Sequence, residues 1–170
     1  MIIRQENRKD YQEIYKLVKD SFETAKVSNG KEHEIINELR AGSKYIPELA
    51  LVVEEQERLI AYIMLTKFTV NFDSPDIKAL LLAPVCVMLG YRNEKIGENL
   101  INKSLKIAKS LGFNCVFSVG DPNYFYRLGF RQAIEYNIKC SDKTENKYVL
   151  VKELVPGTLK NVTSATVSFL

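Results

Sequence analysis

The chain has little of what several kinds of functional site require. Its 170 residues include one histidine, His33, and a single histidine rules out a histidine-cluster metal site. Because His33 stands between Glu32 and Glu34, we predict that it is a solvated helix residue rather than a catalyst. The three cysteines cannot all pair, and Cys86 and Cys115 lie in apolar runs that are typical of small core residues. We therefore predict no bound metal.

Long runs of one kind of residue are also missing. No stretch is apolar for long enough to form a membrane span or a signal peptide, so we predict no membrane association and a cytoplasmic protein. No run of about five or six like charges occurs, and the net charge is only +3, which argues against a nucleic-acid partner. The apolar content of 46% is that of an ordinary globular domain.

The order of apolar patterns predicts an α/β fold with a mixed sheet. The predicted strands are Ile2–Ile3, Glu48–Glu54, Arg58–Val70, Ala79–Leu89, Asn114–Val119 and Lys147–Leu154, with a further strand in the tail from Pro156 to Leu170. The predicted helices follow Asn7 as a cap, Gly30 and Asn93. The apolar face of the first helix is predicted at Tyr11, Ile14, Tyr15, Val18 and Phe22, and that of the second at Ile35, Ile36 and Leu39. A brief helix covers Asn123–Leu128, with Asp121 as its N-cap and Pro122 at its first position. The polar loop 54–58 makes its two flanking strands an antiparallel hairpin, whereas strand, helix and strand from Ala79 to Val119 form a parallel unit.

Residues 84–100 are the stretch that points to a ligand. Pro84–Leu89 has the pattern of a buried strand, and a short polar turn leads from it into a long amphipathic helix. The first N–H groups of a helix have no intrahelical partner and lie at the positive end of its dipole. Such a junction suits a phosphate or another anion.

Three segments of the chain carry a resemblance to a known family. They are Leu82–Gly97, Val119–Phe130 and Glu153–Leu159, and they follow in order along nearly the whole chain. The first resembles the strand and acetyl-CoA loop of the GCN5-related N-acetyltransferase (GNAT) family, a loop that reads Gln/Arg-x-x-Gly-x-Gly/Ala. The second resembles Gly-Asp-Pro-x-Tyr-Tyr-x-Arg-Phe-Gly-Phe of the family's YhbS-type bacterial branch, and the third resembles the C-terminal segment of that branch.

The resemblance implies a single acyl-CoA N-acyltransferase domain over residues 1–170. Its sheet would be mixed and mostly antiparallel, with a central pair of parallel strands that splay apart and with helices on both faces. Acetyl-CoA would be the co-substrate, and no metal is implied. The residues that the resemblance assigns to cofactor binding are Val85, Cys86, Val87, Arg92, Asn93, Glu94, Lys95, Ile96, Gly97, Glu98, Tyr124 and Phe125.

The same resemblance assigns catalytic roles. The backbone N–H at Val87 would stabilise the oxyanion that forms when an amine attacks the thioester. Many family members place a tyrosine at the position of Phe125 to protonate the departing thiolate, and phenylalanine has no proton to give. Tyr124 and Tyr126 flank this position as catalytic candidates, although both are also explained as packing and surface aromatics.

The cofactor loop departs from the family pattern as well. Lys95 and Asn93 stand where the family has glycine or commonly has it. A left-handed backbone at Lys95 would cost roughly 1–2 kcal/mol, and its ammonium beside a phosphate would return roughly 0.3–1 kcal/mol. We therefore expect weakened rather than abolished CoA binding. A solvated helix start is the alternative reading of Arg92 and Lys95.

The predicted function is transfer of an acetyl group from acetyl-CoA to a primary amine of a small molecule or peptide. The alternative is a catalytically degenerate protein of the same fold that binds CoA or a peptide without efficient turnover. A homodimer follows from the resemblance alone. The loop carboxylates are predicted to be surface charges rather than proton relays; they are Glu54, Glu55, Asp73 and Asp76.

Overall fold

The computed structural model describes residues 1–169, and Leu170 lies outside the described residues. The helices in this range are α1 (Tyr11–Phe22), α2 (Glu32–Ala41), α3 (Ile96–Ser110) and α4 (Pro122–Tyr126). The strands in this range are β1 (Ile2–Gln5), β2 (Ala50–Glu55), β3 (Arg58–Phe68), β4 (Ala79–Val87), β5 (Cys115–Val119), β6 (Arg131–Gln132), β7 (Ile138–Cys140), β8 (Val149–Glu153) and β9 (Ala165–Val167).

The main sheet is mixed and mostly antiparallel, as predicted. Its strand order is β1-β2-β3-β4-β5-β8-β6. The predicted hairpin is confirmed because β2 pairs antiparallel with β3. The predicted strand–helix–strand unit is confirmed as well, since β4 and β5 are parallel and α3 connects them. A separate small sheet pairs β7 with β9 in parallel, and β9 is the strand expected in the tail.

The chain divides into two compact units. The first consists of Met1–Thr66 and Leu82–Ile107, and the second of Lys67–Leu81 and Ala108–Leu170. Each unit has an apolar cluster of its own. The cluster of the first unit includes Ile14, Leu17, Val18, Ile36, Ala50, Val52, Leu59, Tyr62, Met64 and Cys86. The cluster of the second unit includes Ala79, Cys115, Phe117, Ala133, Ile138, Val149, Val151, Leu159, Val162, Ala165 and Val167. The single domain over residues 1–170 stays a prediction.

The start of α1 shows how local sequence builds the first unit. Asn7 accepts a hydrogen bond from the N–H of Lys9, and Asp10 accepts one from the N–H of Asn7. This reciprocal capping box closes a 3-10 turn that leads directly into α1. The predicted cap at Asn7 is therefore confirmed. Ile14 and Val18 then recur at helical spacing and are fully buried, and each such burial contributes about 1.5–3 kcal/mol.

Several details differ from the sequence-based predictions. His33 is buried rather than solvated. Its ring packs edge-to-face with the ring of Tyr15, with 4.9 Å between the ring centroids. The predicted apolar faces of the helices are rotated, since Tyr15 and Ile35 are exposed whereas Leu17 is buried. The buried face of α1 runs through Ile14, Leu17 and Val18, and Tyr15 lies at its edge beside His33 of α2.

Strand β4 shows a further difference from prediction. Its residues alternate between buried and half-buried, so the prediction of burial on both faces holds for one face only. Strands β6 and β7 were not predicted, because two or three residues are too few to show a period of two. The prediction that Cys86 and Cys115 are core residues is confirmed, since both are buried.

Candidate functional site

The end of β4 presents backbone groups on one edge. The N–H of Met88 donates to the carbonyl of Ile60 in β3 at 2.8 Å. Because N–H groups alternate between the two edges of a strand, the N–H of Val87 points away from β3. The register of β4 with β5 covers Ala79–Leu81, and β4 continues beyond it to Val87. Val85 and Val87, which were predicted to bind the cofactor, lie in that continuation and are half-buried.

The turn between β4 and α3 contains two left-handed residues that are not glycine. Asn93 has φ of 70° and Lys95 has φ of 59°. Glu94 lies between them outside the left-handed region. Such alternation of backbone conformation turns successive N–H groups toward one side and forms a concavity that binds anions. Lys95 thus has the left-handed conformation whose cost was considered for the family's glycine position.

The start of α3 adds further backbone donors. Asn99 donates its N–H to the carbonyl of Lys95 at 2.9 Å, which closes the first turn of the helix. The N–H groups of Ile96 and Gly97 precede this bond and have no acceptor within the helix. The Ile96 side chain is buried and anchors the turn, and Gly97 is buried as well.

The turn and the start of α3 carry side chains of both charges. Asn93, Glu94 and Lys95 are exposed, so the Lys95 ammonium is available to an anion. Glu94 and Glu98 are acidic, and a carboxylate would repel a phosphate. Glu94 and Glu98 would therefore contribute to cofactor binding through their backbone N–H groups alone.

Arg92, by contrast, contacts the protein itself. Its Nε donates to the carbonyl of Val87 at 3.1 Å, Nη1 to the hydroxyl of Thr24 at 2.9 Å, and Nη2 to the carbonyl of Ser21 at 2.9 Å. Its backbone N–H donates to the carbonyl of Leu89. A solvated helix start does not describe this residue. Its assignment to cofactor binding stays a prediction.

Cys86 is an unreactive thiol. Burial raises the pKa of Cys86 to about 12, and hydrogen bonds from Ser21 and from the Tyr62 backbone offset only part of this effect. The side chain therefore stays a neutral thiol at neutral pH and does not act as a nucleophile.

The second predicted segment folds as a short capped helix in the second unit. The Asp121 side chain accepts from the N–H of Asn123, and Pro122 occupies the first helical turn of α4. Gly129 follows with φ of 86°, a conformation suited to glycine after a helix. The predicted start at Asp121 and Pro122 is confirmed, although α4 ends at Tyr126 rather than Leu128.

Phe125 is a packing residue of this segment. It is 5% exposed, and its ring lies edge-to-face against Phe130 with 5.1 Å between centroids. A Cβ atom at Gly120 would lie 2.7 Å from Cε2 of this ring, so the glycine makes room for it. Phe125 therefore fills a tight apolar space.

The two tyrosines beside Phe125 have different surroundings. Tyr124 is half-buried, with its ring edge-to-face to Phe125 and 5.6 Å from the guanidinium of Arg127. Tyr126 is 39% exposed, and the guanidinium of Arg131 lies 5.7 Å from its ring centroid. The catalytic roles predicted for the two tyrosines stay predictions.

A buried carboxylate in the first unit was not predicted from the sequence. The Glu6 side chain has no solvent exposure and accepts bonds from Nε and Nη2 of Arg40 at 2.8 and 2.6 Å. The hydroxyls of Tyr45 and Tyr62 donate to the same carboxylate at 2.8 and 2.9 Å. The Arg40 guanidinium also lies over the ring of Tyr11, 3.8 Å from its centroid. No local pattern marks these residues, because the partners of Glu6 lie far away in the sequence.

The protonation states in this cluster are well defined. Burial and the Glu6 carboxylate raise the pKa of both Tyr45 and Tyr62, so both hydroxyls remain donors. Burial is the largest single effect on the pKa of Arg40 and works to lower it, but the hydrogen bond to Glu6 together with the charge interactions with Tyr62, Glu6 and Tyr11 outweighs it, and the net shift is upward. The cluster is therefore a fully hydrogen-bonded ion pair with two phenol donors.

The loop carboxylates fit the predicted surface role. Glu54 pairs with Nε of Arg4 at 2.7 Å, and Asp73 accepts from the hydroxyl of Thr163 at 2.6 Å. Both groups are engaged by protein partners. Within residues 1–169, no set of three or more metal-ligating side chains converges, and no helix has the length and hydropathy of a membrane span.

Comparison with protein families identifies the chain. A family profile described as an acetyltransferase (GNAT) domain matches residues 2–133. The chain belongs to the GNAT family. A GNAT relative, the uncharacterized N-acetyltransferase YhbS of Escherichia coli K12, is 26% identical over 164 residues, which is 96% of this chain and 93% of the relative. A second relative of the same organism, the uncharacterized N-acetyltransferase YjhQ, is 25% identical over 108 residues, which is 64% of this chain and 60% of the relative.

Solved GNAT structures agree with the family assignment. YhbS from Escherichia coli, crystallised in complex with CoA, is 25% identical with a TM-score of 0.85, and the match covers 99% of this chain and 89% of that one. A GNAT acetyltransferase from Brucella melitensis in complex with acetyl-CoA is 27% identical with a TM-score of 0.73, covering 91% and 88%. The resemblance to the YhbS-type branch is thereby confirmed. The predicted GNAT-like fold is also confirmed.

Proposed function

We propose that the chain transfers an acetyl group from acetyl-CoA to a primary amine of a small molecule or peptide. The observation that carries this proposal is the turn before α3, where left-handed Asn93 and Lys95 precede the N–H groups of Ile96 and Gly97, which have no acceptor within the helix. This arrangement fits a pyrophosphate, and the relatives crystallised with CoA and acetyl-CoA share the fold.

The residues of the turn and of β4 would hold the cofactor. Backbone groups from Asn93 to Gly97 bind the pyrophosphate, and the exposed Lys95 ammonium adds a favourable charge worth about 0.3–1 kcal/mol. The edge at Val85 and Val87 hydrogen-bonds the pantetheine arm in the manner of an added strand. Acetyl-CoA supplies the activated thioester, and binding beside the amine supplies much of the rate by proximity.

The backbone N–H of Val87 would stabilise the oxyanion. The adjacent peptide is held from two sides, since Arg92 binds the Val87 carbonyl and the N–H of Met88 binds Ile60. A donor held rigidly in place does not reorganise during the reaction, and such a donor is typically worth about 10²–10³ in rate.

Protonation of the departing thiolate is assigned to Tyr124 or Tyr126. Phe125 cannot serve, and its buried ring is part of the packing of α4. A missing general acid reduces a rate by about 10²–10⁴. Phe125→Tyr places a hydroxyl at the family position, and we expect faster release of CoA thiol with the amine that reacts best.

A second candidate function is CoA binding without efficient turnover. The observations that favour it are the packed Phe125 and the strained left-handed backbone of Lys95. The same family resemblance suggests a single domain over residues 1–170 and a homodimer. Light scattering on the protein as it elutes from a size-exclusion column measures the molar mass and so tests for the dimer.

Calorimetry with acetyl-CoA, followed by thiol release over a broad panel of amines, separates the candidates. Acetyl-CoA binding with turnover of at least one amine supports the transferase. Binding without turnover of any amine supports the second candidate. An absence of binding at millimolar acetyl-CoA would overturn both.

A further inference from the structure

Arg92 joins three pieces of the first unit through its guanidinium. Each of its three nitrogens donates a hydrogen bond, and the acceptors are the Val87 carbonyl, the Thr24 hydroxyl and the Ser21 carbonyl. The bond lengths are 3.1, 2.9 and 2.9 Å, within the normal range for such bonds. The side chain is thus directed into the protein, although Arg92 is the residue that opens the cofactor turn.

One of these acceptors, the Ser21 carbonyl, belongs to the last turn of α1, and another, the Thr24 hydroxyl, lies just after the helix. Ser21 lies in the last turn of this helix, whose carbonyls lack helical partners. The N–H of Ala25 donates to Phe22 rather than to Ser21. The Ser21 carbonyl accepts a long bond of 3.4 Å from the Thr24 hydroxyl and the shorter bond from the guanidinium. A cation is favoured at this end of the helix dipole. Arg92 therefore acts as a charged cap for α1.

The third acceptor lies beside the group that we propose as the oxyanion donor. The Val87 carbonyl shares its peptide plane with the N–H of Met88, which donates to Ile60. With Arg92 on the other side, both polar groups of this plane are held. The preceding plane, which carries the N–H of Val87, is joined to this held plane through the two backbone dihedrals of Val87.

We infer that Arg92 is a positioning residue that ties the cofactor turn and the end of β4 to the end of α1, and that it is not a phosphate ligand. The inference rests on the proposed function for its catalytic meaning. Lys95 provides the contrast, because it is exposed in the turn and its ammonium is accessible to an anion.

Calorimetry with CoA at two ionic strengths distinguishes the two roles. Between about 0.01 M and about 0.15 M salt the Debye length falls from about 30 to about 8 Å, which weakens a direct contact between Lys95 and phosphate. We expect Arg92→Ala to weaken CoA binding about tenfold at both salt concentrations. Lys95→Ala should instead make the CoA affinity less dependent on the salt concentration. A flattened dependence in Arg92→Ala would identify a phosphate ligand and overturn the inference.

Chemical rescue adds a readout that a general loss of stability would not move. Millimolar guanidinium chloride should restore CoA binding to Arg92→Ala, with sodium chloride at the same concentration as the control. Arg92→Lys keeps the charge without the fork of donors, and we expect an intermediate affinity. The matched control is Arg8→Ala, at an exposed arginine of the same unit, which should leave CoA affinity unchanged. A failure of guanidinium to restore any affinity would count against the inference.

Hydrogen exchange tests whether Arg92 holds the end of α1, and this experiment needs no ligand. Arg92→Ala should speed exchange at the amides of residues 20–25, and Lys95→Ala should not. Unchanged exchange there in Arg92→Ala would overturn the inference even if CoA binding falls. If the unaltered protein binds no CoA, the proposed function fails, whereas the exchange experiment still decides whether Arg92 holds α1.

Discussion

The buried carboxylate of Glu6 gives the most direct test of what holds the first unit together. Glu6→Gln keeps the size of the side chain but replaces one acceptor oxygen by an N–H₂ group. Four donors point at this carboxylate, and they come from Arg40, Tyr45 and Tyr62. An amide cannot accept all of them, so the substitution leaves a buried guanidinium without a counter-charge.

The expected size of the effect follows from burial. The Glu6 side chain is fully buried and that of Arg40 is 8% exposed, so solvent screens the pair very little. Removal of one partner of a buried ion pair costs about 3–5 kcal/mol in the free energy of unfolding. For a chain of this size that corresponds to a fall of roughly 6–20 °C in the unfolding midpoint.

Two further variants calibrate the result. Tyr62→Phe removes a single hydrogen bond to the carboxylate and should cost about 1.5–3 kcal/mol. Glu38→Gln changes an exposed glutamate on α2 and should stay within about 0.5 kcal/mol of the unaltered protein. Urea unfolding followed by circular dichroism measures all three. The reasoning is refuted if Glu6→Gln costs no more than Tyr62→Phe.

Three other predictions concern single positions. Lys95 is left-handed in the chain itself, so Lys95→Gly should raise the free energy of unfolding in urea by up to roughly 1–2 kcal/mol, whereas calorimetry should show CoA binding weakened by the lost charge, worth roughly 0.3–1 kcal/mol; tighter CoA binding would show that the strain arises on binding. Gly120→Ala forces Cβ against the Phe125 ring and should destabilise the chain by about 1–3 kcal/mol in urea unfolding; an unchanged midpoint would show that the ring moves freely. The hydrogen bonds from Arg4 chiefly lower the pKa of Asp10, so its carboxylate stabilises the folded state above the ordinary pKa of 3.8, and this contribution is lost as pH falls through the lower folded pKa. The difference in unfolding free energy between Asp10→Asn and the unaltered protein should therefore be largest at neutral pH and shrink below about pH 4; a difference independent of pH would contradict the ion pair.

Local patterns predicted much of the fold and the main features of the cofactor turn. The spacing of Ile14 and Val18 predicted α1, because a helix brings residues three and four apart onto one face. The polar loop 54–58 predicted the hairpin, and two of its residues, Gln56 and Glu57, are left-handed in the structure. The family motif predicted the strain at Lys95. Each of these features depends on residues close together in the chain.

Contacts between distant residues were decided by the tertiary structure alone. The sequence placed Arg92 in a cofactor loop and determined a helix start after it, but only the packing of α1 against the end of β4 turned its side chain toward Ser21 and Thr24. In the same way Glu6 finds donors in α2, in β3 and in the loop after α2. The physical reason is that periodicity and turn chemistry act between neighbours, whereas the partner of a buried charge is whichever group the folded chain brings within hydrogen-bonding distance.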